Sequence, residues 1–265
     1  NKVTSSSSVA ASATSAVASS SAASSSSPSS KPSSGKGKRG IAYNDAGLTS
    51  CFSGSDHISW AYNWGNKPDG LTGLEYIPML WGLGDKLLGW EQNAKDAIAN
   101  GASAILAFNE PDHVTQSLLT PALAAAGYKK YVQEPFGGSD VRLGSPAVTN
   151  GGGSMGLTWL GKFLEACSDC QVDFAVIHWY DYASRVDNFK SHIQQAHEKT
   201  GLPIWITEFG AFGSDEEIKA FLEEVLPWLD SQDYVERYAY FMAKDGFLTK
   251  GTELSTYGHT FATYS

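Results

Sequence analysis

"SAILAFNE" (residues 103–110), followed directly by Pro111, is the stretch on which the fold prediction rests. It is mostly apolar, it ends in an asparagine and a glutamate, and the proline removes the main-chain donor that a continuing strand would need. Near-continuous apolar runs of this length are typical of strands covered on both faces of a parallel sheet. Glu110 is therefore predicted at the end of a buried strand, either as an ordinary strand stop or as a reactive carboxylate.

Seven further segments share this apolar texture and alternate, in the later part of the chain, with amphipathic helical patterns. The other predicted strands are RGIAYN (39–44), SWAYNW (59–64), LEYIPMLW (74–81), RLGSPAV (142–148), FAVIHWYD (174–181), PIWITEFG (203–210) and ERYAYFMA (236–243). Helices are predicted over 90–100, 120–136, 158–167, 187–201 and 214–232. Eight strands alternating with helices predict an α/β fold of the closed (β/α)8 type, a TIM barrel, formed by one domain over residues 39–265.

An open doubly wound sheet that binds a nucleotide is the alternative fold. It requires a glycine-rich turn after the first strand, and "YNDAGLTSCFSGSD" (43–56) contains no G-x-G-x-x-G. The phosphate-binding pattern G-x-x-x-x-G-K-[ST] is absent from the whole sequence. These observations favour the barrel.

Residues 1–38 form a leader or linker dominated by serine and alanine, with Pro28 and Pro32. Such a segment buries too little apolar surface to offset its ordering entropy, so we predict that it is disordered. A plain spacer and an O-glycosylated stalk of a secreted or wall-attached protein remain equal alternatives.

The formal charge of -9 over 265 residues, with 42% hydrophobic residues, limits the possible partners. Five basic residues lie in the leader and at its junction with the first strand, so the barrel itself is more acidic than the whole chain. Nucleic-acid binding requires a concentrated basic face, and none is present. No apolar run approaches the roughly 20 residues that span a bilayer. We expect a monomer that binds neither nucleic acid nor a membrane.

The reactive groups of a (β/α)8 barrel lie at the carboxyl ends of its strands. In order, these ends carry Asn44, Asn63 with Trp64, Trp81, Asn109 with Glu110, Asn150, His178 with Tyr180, Glu208, and Lys244 with Asp245. The two glutamates belong to the fourth and seventh strands, which face each other across a narrow interior. Facing carboxylates, one protonated and one ionised, are the groups that cleave a glycosidic bond.

A strand-end glutamate can instead be structural, pairing with an arginine or capping a helix. The barrel region contains only Arg39, Arg142, Arg185 and Arg237, and none adjoins Glu110 or Glu208 in sequence. The scarcity of arginine favours the catalytic interpretation of the pair.

The motifs "FNEP" (108–111), "ITEFG" (206–210), "YNWG" (62–65), "PMLWG" (78–82) and "VIHWYD" (176–181) occur in one order along residues 39–265. This ordered set resembles the endo-β-1,3-glucanases of glycoside hydrolase family 128, within a clan of retaining (β/α)8 enzymes. The resemblance implies a retaining double displacement on β-1,3-glucan, with Glu110 as acid/base and Glu208 as nucleophile. The alternatives are a non-catalytic barrel that binds cell-wall glucan and a β-1,4-glycanase of the same clan. A secreted or cell-wall-associated location follows from the same resemblance and from the leader.

Residues beside the glutamates are the candidates for substrate binding. Asn109 is the natural donor to the sugar 2-hydroxyl, and Asn44 and Asn63 hold comparable strand-end positions. His178 and Tyr180 share one face of their strand, because side chains alternate along it. Tyr180 is predicted to donate to Glu208 and His178 to bind sugar, with buried core positions as the alternatives.

Aromatic strand-end residues are the candidates for stacking on glucose rings, namely Trp64, Trp81 and Trp179. Because a β-1,3 chain curves, its binding groove should be bent. Two departures from the clan are visible: "YAYFMAKDG" (238–246) lacks the tryptophan often found at the end of the eighth strand, and "GGGSMG" (151–156) is a glycine-rich stretch after the fifth strand.

Cys167 and Cys170 form a C-x-x-C pattern that indicates zinc, redox chemistry or a local disulfide. Zinc needs two further ligands, and the histidines are scattered; thioredoxin-like chemistry places the pattern at a helix start rather than a helix end. A Cys167–Cys170 disulfide with Cys51 free is favoured for an exported protein, and reduced thiols are the alternative. We expect no metal and no cofactor.

Overall fold

The computed structural model describes residues 37–265, so the predicted leader lies outside the described residues except for Gly37 and Lys38. Eight parallel strands form one sheet in the order β3-β2-β1-β8-β7-β6-β5-β4. Their bounds are β1 Arg39–Tyr43, β2 Ile58–Tyr62, β3 Glu75–Tyr76, β4 Ala104–Ile105, β5 Arg142–Val148, β6 Phe174–Tyr182, β7 Ile204–Phe212 and β8 Val235–Ala243.

The sheet closes into a barrel where the chain after β3 meets the chain of β4. Met79 and Leu106 form a parallel bridge, and the main-chain N–H of Leu106 donates to the carbonyl of Pro78 at 3.0 Å. The N–H of Leu80 donates in turn to the carbonyl of Leu106 at 3.0 Å. The predicted (β/α)8 fold is confirmed. The third and fourth strands are much shorter than predicted, and Pro78 lacks the donor that a regular strand requires.

Helices cover the later part of the barrel. Their bounds are α1 Trp90–Ala99, α2 Pro121–Tyr128, α3 Glu134–Phe136, α4 Gly156–Ala166, α5 Val186–Thr200, α6 Asp215–Ser231 and α7 Thr256–Thr263. A π-helical turn (Lys129–Gln133) joins α2 to α3, 3-10 turns span Ala46–Phe52 and Gly84–Leu87, and a short hairpin (β9 Thr249–Lys250, β10 Glu253–Leu254) follows β8. Among the described residues, no helix combines the length and apolar character needed to cross a membrane.

Within residues 37–265, the connections after the first two strands contain no α-helix, in line with helical patterns that begin only at residue 90. A 3-10 turn follows β1, and within the described chain no helix separates β2 from β3. That connection is held instead by Asn63, whose amide donates to the carbonyl of Lys67 and accepts from the hydroxyl of Tyr76. The final helix α7 was not predicted, although Ser255 caps its first turn by accepting from the N–H of Gly258.

Large aromatic side chains fill the barrel below its carboxyl end. Trp60 packs on Trp205 with ring centres 5.5 Å apart, and Phe174 stacks on Trp205 with ring centres 4.1 Å apart. Tyr62 lies above Trp60 and donates to the carbonyl of Thr207 at 2.9 Å. This packed interior is a floor that confines any reaction to the carboxyl ends of the strands.

Candidate active site

Glu110 and Glu208 lie where the sequence predicts them, at the carboxyl ends of the fourth and seventh strands. Glu208 lies within β7 and is 5% exposed, whereas Glu110 follows β4 and is partly exposed. One carboxylate oxygen of each glutamate and a ring nitrogen of His178 all lie within 4.8 Å of one another. The two carboxylates therefore face each other across the mouth of the barrel.

Glu208 accepts hydrogen bonds from two neutral donors. The indole Nε1 of Trp64 donates to Oε1 at 2.7 Å, and the hydroxyl of Tyr180 donates to Oε2 at 2.5 Å. Burial, together with the charge of Glu208, raises the pKa of the Tyr180 hydroxyl far above its usual range, so this group remains a donor. Donors directed at both oxygens fix the orientation of the carboxylate.

His178 connects the two glutamates from beneath. It is fully buried, its Nδ1 lies 2.9 Å from Oε1 of Glu110, and its Nε2 lies 2.9 Å from Oγ1 of Thr207 and 3.5 Å from Oε1 of Glu208. A register shift in the β6–β7 pairing between Ile177 and His178 places His178 opposite Glu208.

The protonation of this pair follows from opposing influences. Burial lowers the pKa of His178, but the charges of Glu208 and Glu110 and the hydrogen bond to Glu110 outweigh it and raise the pKa above its usual range. Burial raises the pKa of Glu110, but the hydrogen bond and charge of His178 lower it below its usual range. Both shifts favour the same arrangement, a protonated imidazole beside an ionised Glu110 carboxylate.

Two residues of the site adopt backbone conformations that are unfavourable for side chains other than glycine. Glu110 has φ +40° and Trp64 has φ +57°. The N–H of Glu110 donates to the carbonyl of Ala147 at 2.8 Å, which fixes the chain as it leaves β4. Strain of this kind costs about 1–3 kcal/mol per residue and concentrates at functional sites. Here it directs one carboxylate and one indole into the same cleft.

A cleft of about 800 Å³ opens above the glutamates. Of the predicted substrate-binding residues, Asn44, Trp64, Trp81, Asn109 and Tyr180 line it, and Glu110 and Glu208 line it as well. His178 lies beneath it, against both glutamates. Asn150, predicted at a strand end, lines the cleft too. The remaining lining residues were not predicted: His113, Gln116, Thr149, Gly151, Met155, Phe212, Phe241, Met242 and Phe247.

Phe241 supplies an aromatic side chain at the eighth strand, where the clan's tryptophan is missing. It lies in β8, and its ring packs edge-on against Trp64 and against Tyr180, each with centres 5.7 Å apart. Phe247, in the following loop, extends this aromatic wall at 5.8 Å from Phe241. The sequence signal that could have predicted this residue is "YFMA" (240–243), because alternation of side chains along a strand allows one of its aromatic residues to face the barrel interior.

Asn109 presents an unused acceptor. Its Nδ2 donates to Oε1 of Gln116 at 3.2 Å, while its buried Oδ1 has no hydrogen-bond partner in the described part of the chain. A buried amide oxygen without a partner is costly, so a ligand hydroxyl would satisfy it. The position fits the predicted sugar contact, with Asn109 accepting rather than donating.

Three predicted substrate-binding residues do not line the cleft: His178 holds the buried position that was its alternative, and the expectation is corrected for Trp179 and Asn63. Trp179 is fully buried on the outer side of β6, where it stacks on Phe221 and donates to Oδ1 of Asn188. Asn63 uses its amide to shape the β2–β3 connection. Trp179 had to face away, because its neighbours His178 and Tyr180 both point inward.

The cysteines and the acidic cluster at the site bear on the disulfide and metal predictions. Cys167 and Cys170 are joined by a disulfide with Cα atoms 5.1 Å apart, and Cys51 is free and half-buried. Glu110, His178 and Glu208 are close enough to ligate a metal ion, but hydrogen bonds within the protein already engage all three. The absence of a metal requirement stays a prediction.

A (β/α)8 barrel with two carboxylates facing each other at the ends of its fourth and seventh strands defines a glycoside hydrolase domain. Comparison with known proteins agrees, because residues 40–261 match the family described as glycosyl hydrolase catalytic core. The chain belongs to this family, and its predicted resemblance to glycoside hydrolase family 128 is confirmed.

Among solved structures, a curdlan-specific exo-β-1,3-glucanase of family 128 subgroup III from Blastomyces gilchristii is 43% identical, with a TM-score of 0.80. That match covers 86% of this chain and 98% of the other. An endo-β-1,3-glucanase of subgroup II from Sorangium cellulosum is 30% identical, with a TM-score of 0.74, over 86% of this chain and 98% of the other.

One curated relative is alkali-sensitive linkage protein 1 of Schizosaccharomyces pombe, 36% identical over 224 residues. The match covers 79% of this chain. The chain spans only 39% of the length of that relative.

Proposed function

We propose that this domain hydrolyses β-1,3-glucan with retention of anomeric configuration, with Glu208 as the nucleophile and Glu110 as the acid/base. The observation that carries the proposal is the separation of their nearest paired oxygens, which is at most 4.8 Å. Retaining enzymes need carboxyl groups about 5–5.5 Å apart, whereas inverting enzymes leave additional room for a water molecule.

The hydrogen bonds support this division of roles. Trp64 and Tyr180 donate to Glu208, so its carboxylate is oriented for attack on the anomeric carbon. Glu110 has no such pair of neutral donors, and its partner His178 can exchange a proton with it. Glu110 is therefore suited to donate a proton and then to take one back.

The reaction proceeds in two balanced steps. Glu208 attacks the anomeric carbon while the glycosidic bond breaks and Glu110 transfers its proton to the departing oxygen, which leaves a glycosyl ester on Glu208. Water then gives a proton to Glu110 and attacks the same carbon, and the ester bond breaks. Two inversions give net retention.

His178 supplies the proton that Glu110 needs for the first step. Its Nδ1 lies 2.9 Å from Oε1 of Glu110, and its raised pKa favours the protonated imidazole before substrate binds. A bound sugar displaces water and lowers the local polarity, which favours a neutral acid beside a neutral imidazole over an ion pair. Substrate binding thereby moves the proton onto Glu110.

The relatives support the substrate. The subgroup I enzyme of Amycolatopsis mediterranei, 28% identical with a TM-score of 0.71, was crystallised with laminaritriose. We expect cleavage within the chain, as for the endo-acting relatives, and the exo-acting relative makes the product profile the deciding measurement. The proposal extends to a monomeric protein that is secreted or wall-associated, with residues 1–38 as its leader and 39–265 as its catalytic domain.

Incubation with laminarin, mannan and cellulose tests the activity and the linkage. We expect laminari-oligosaccharides of several lengths from laminarin, with the β-anomer appearing first by proton NMR. Terminal glucose alone would indicate exo action, and products from mannan or cellulose would favour a β-1,4-glycanase. A folded protein that binds laminarin and releases no sugar would be a binding barrel.

Azide rescue tests the two roles separately, with an aryl β-laminaribioside as the activated substrate. Azide should restore turnover of Glu208→Ala with an α-glycosyl azide, because only one displacement then occurs. It should restore turnover of Glu110→Ala with a β-glycosyl azide, because the ester on Glu208 still forms. The opposite pair of products would exchange the roles of the two residues.

A further inference from the structure

A second concavity of about 510 Å³, here called the lateral groove, lies between α4 and α5 beside the catalytic cleft. Its own walls include Thr158 on α4 and His192, Gln195, Glu198 and Lys199 on α5. Positions 192, 195 and 199 follow helical spacing, so α5 presents one continuous stripe to the lateral groove. Gln195 donates to Oγ of Ser191, one turn earlier on the same helix.

The lateral groove adjoins the catalytic cleft. Asn150, Gly151 and Met155, all in the β5–α4 connection, line both concavities. Helices of a (β/α)8 barrel run antiparallel to the strands, so a path across these three residues turns from the mouth of the barrel onto its outer wall. The two concavities therefore share these three wall residues, and a ligand that occupied both would bend there.

The bend lies on the side of the cleft from which the leaving sugar departs. The N–H of Glu110 donates to the carbonyl of Ala147 in β5, so the β5–α4 connection starts beside the proposed acid. Asn150 is fixed there, since its amide donates to the carbonyl of Tyr180 at 3.1 Å and accepts from the N–H of Tyr180 at 3.3 Å. The acid protonates the leaving oxygen, so the leaving chain lies toward this connection.

The walls of the lateral groove suit a neutral ligand rich in hydroxyl groups. Lys199 and Glu198 carry opposite charges, and Gln195 and Thr158 are neutral donors and acceptors. Burial lowers the pKa of His192 to about 4, against the opposing hydrogen bond with the main chain of His178, so the imidazole is neutral under mildly acidic conditions. Its buried Nε2 has no hydrogen-bond partner among residues 37–265.

We propose that the lateral groove binds the continuation of the glucan chain on the leaving side, an inference that rests on the proposed function. A β-1,3 linkage turns the chain at every sugar, so a chain leaving the cleft follows the bend at Met155 onto the barrel wall. A straight β-1,4 chain continues over the rim instead. The lateral groove thus adds affinity for long substrates and selects for the curved chain.

Two tryptophan variants on neighbouring positions of α5 test this assignment. Gln195→Trp fills the lateral groove, whereas Gln194→Trp adds the same ring at an exposed position that does not line it. For laminariheptaose, kcat/KM should fall roughly tenfold in Gln195→Trp, about the contribution of one or two hydrogen bonds, and stay at the wild-type value in Gln194→Trp. An aryl β-laminaribioside has a leaving group too short to enter the lateral groove, so both variants should hydrolyse it normally.

A binding measurement separates failure of this inference from failure of the proposed function. In the Glu208→Gln background, calorimetry with laminariheptaose and laminaritriose should show weaker heptaose binding only when Gln195→Trp is added. Equal heptaose kinetics and binding in the two tryptophan variants would overturn the lateral-groove assignment. A wild-type protein that hydrolyses neither substrate, yet still shows the binding difference, would overturn hydrolysis and leave the lateral groove as a glucan-binding site.

Discussion

The two ends of the barrel both hold partly or fully buried glutamates, but they provide different partners. At the amino end, Glu75 accepts from a guanidinium nitrogen of Arg237 at 2.7 Å, and Glu236 accepts from Arg142 at 2.5 Å. The Arg237 guanidinium also lies 4.6 Å from the ring centre of Trp205. A guanidinium stays charged at every relevant pH, so these carboxylates are permanently paired.

At the carboxyl end, none of the four arginines of the described chain pairs with Glu110 or Glu208. Their partners are an imidazole, an indole and a phenol. These groups orient a carboxylate without neutralising it permanently, and the imidazole can also exchange its proton. A glutamate paired with a permanently charged guanidinium is structural, whereas one held by neutral or titratable donors stays available for reaction.

The largest effect should come from replacing the proposed nucleophile. Glu208→Gln should lower kcat on laminarin by about 10⁴-fold or more, because no covalent intermediate can form. Steady-state reducing-sugar release measures it. Glu236→Gln, the matched change at the amino end, should keep its kcat; equal losses in both variants would remove the distinction between the two ends.

The next effect concerns stability at the amino end. Arg237→Met should lower the free energy of unfolding by about 3 kcal/mol, because Glu75, with a side chain only 9% exposed, loses its cation. Urea unfolding measures it. Arg185→Met, which removes an exposed pair with Asp181, should cost less than about 1 kcal/mol. A large fall in kcat of folded Arg237→Met would contradict a purely structural role.

A smaller effect should follow from removing one donor to Glu208. Tyr180→Phe should lower kcat by about 10- to 100-fold, the range expected for a hydrogen bond to a charged group. Tyr182→Phe is the matched control on the same strand, because the Tyr182 hydroxyl makes no hydrogen bond within residues 37–265. Similar kinetics for Tyr180→Phe and the wild type would show that Trp64 alone orients Glu208.

The smallest effect should be a shift in pH dependence. The alkaline limb of kcat/KM reports loss of the proton shared by His178 and Glu110, and the raised pKa of His178 places that limb above its ordinary value of 6.5. His178→Gln should move the limb to lower pH, because only Glu110 then holds the proton. A limb that stays in place would assign it to another group.

The same pair affects stability in a definite pH window. Because the pKa of His178 is raised in the folded state, its protonation stabilises the fold below pH 6.5, and this contribution is lost as pH rises through the folded-state pKa. Because the pKa of Glu110 is lowered, its ionisation stabilises the fold above pH 4.5, and this contribution is lost as pH falls through the folded-state pKa. Both contributions are complete between 4.5 and 6.5. The stability difference between wild type and His178→Gln should therefore be largest in that window, as urea unfolding at several pH values would show.

Sequence patterns predict the barrel and the positions of Glu110 and Glu208, because apolar runs ending in a carboxylate specify both strand and strand end. They also predict the inward face shared by His178 and Tyr180, and with it the placement of Tyr180 against Glu208. They do not predict that His178 bridges both glutamates. That contact depends on a register shift between neighbouring strands, and register is a property of the paired sheet.

Trp64 and Phe241 illustrate the same limit. Trp64 was predicted to stack on sugar, whereas a positive φ turns its indole toward Glu208. Loop conformations of this kind depend on tertiary contacts rather than on local preference. Phe241 lies in a predicted strand, but only the packed barrel shows which of its aromatic residues reach the cleft.

The closure between the third and fourth strands has a mechanical consequence for the acid. Strands β3 and β4 have two residues each, and a few main-chain hydrogen bonds around Leu106 join the chain segments beside them. Local unfolding of the barrel should therefore begin between the chain after β3 and the chain of β4. Amide hydrogens at Leu80 and Leu106 should exchange faster than those of β6 and β7. Glu110 lies four residues beyond Leu106. The proposed proton donor is therefore carried by a segment that opens easily, whereas the proposed nucleophile is carried by a long, fully paired strand.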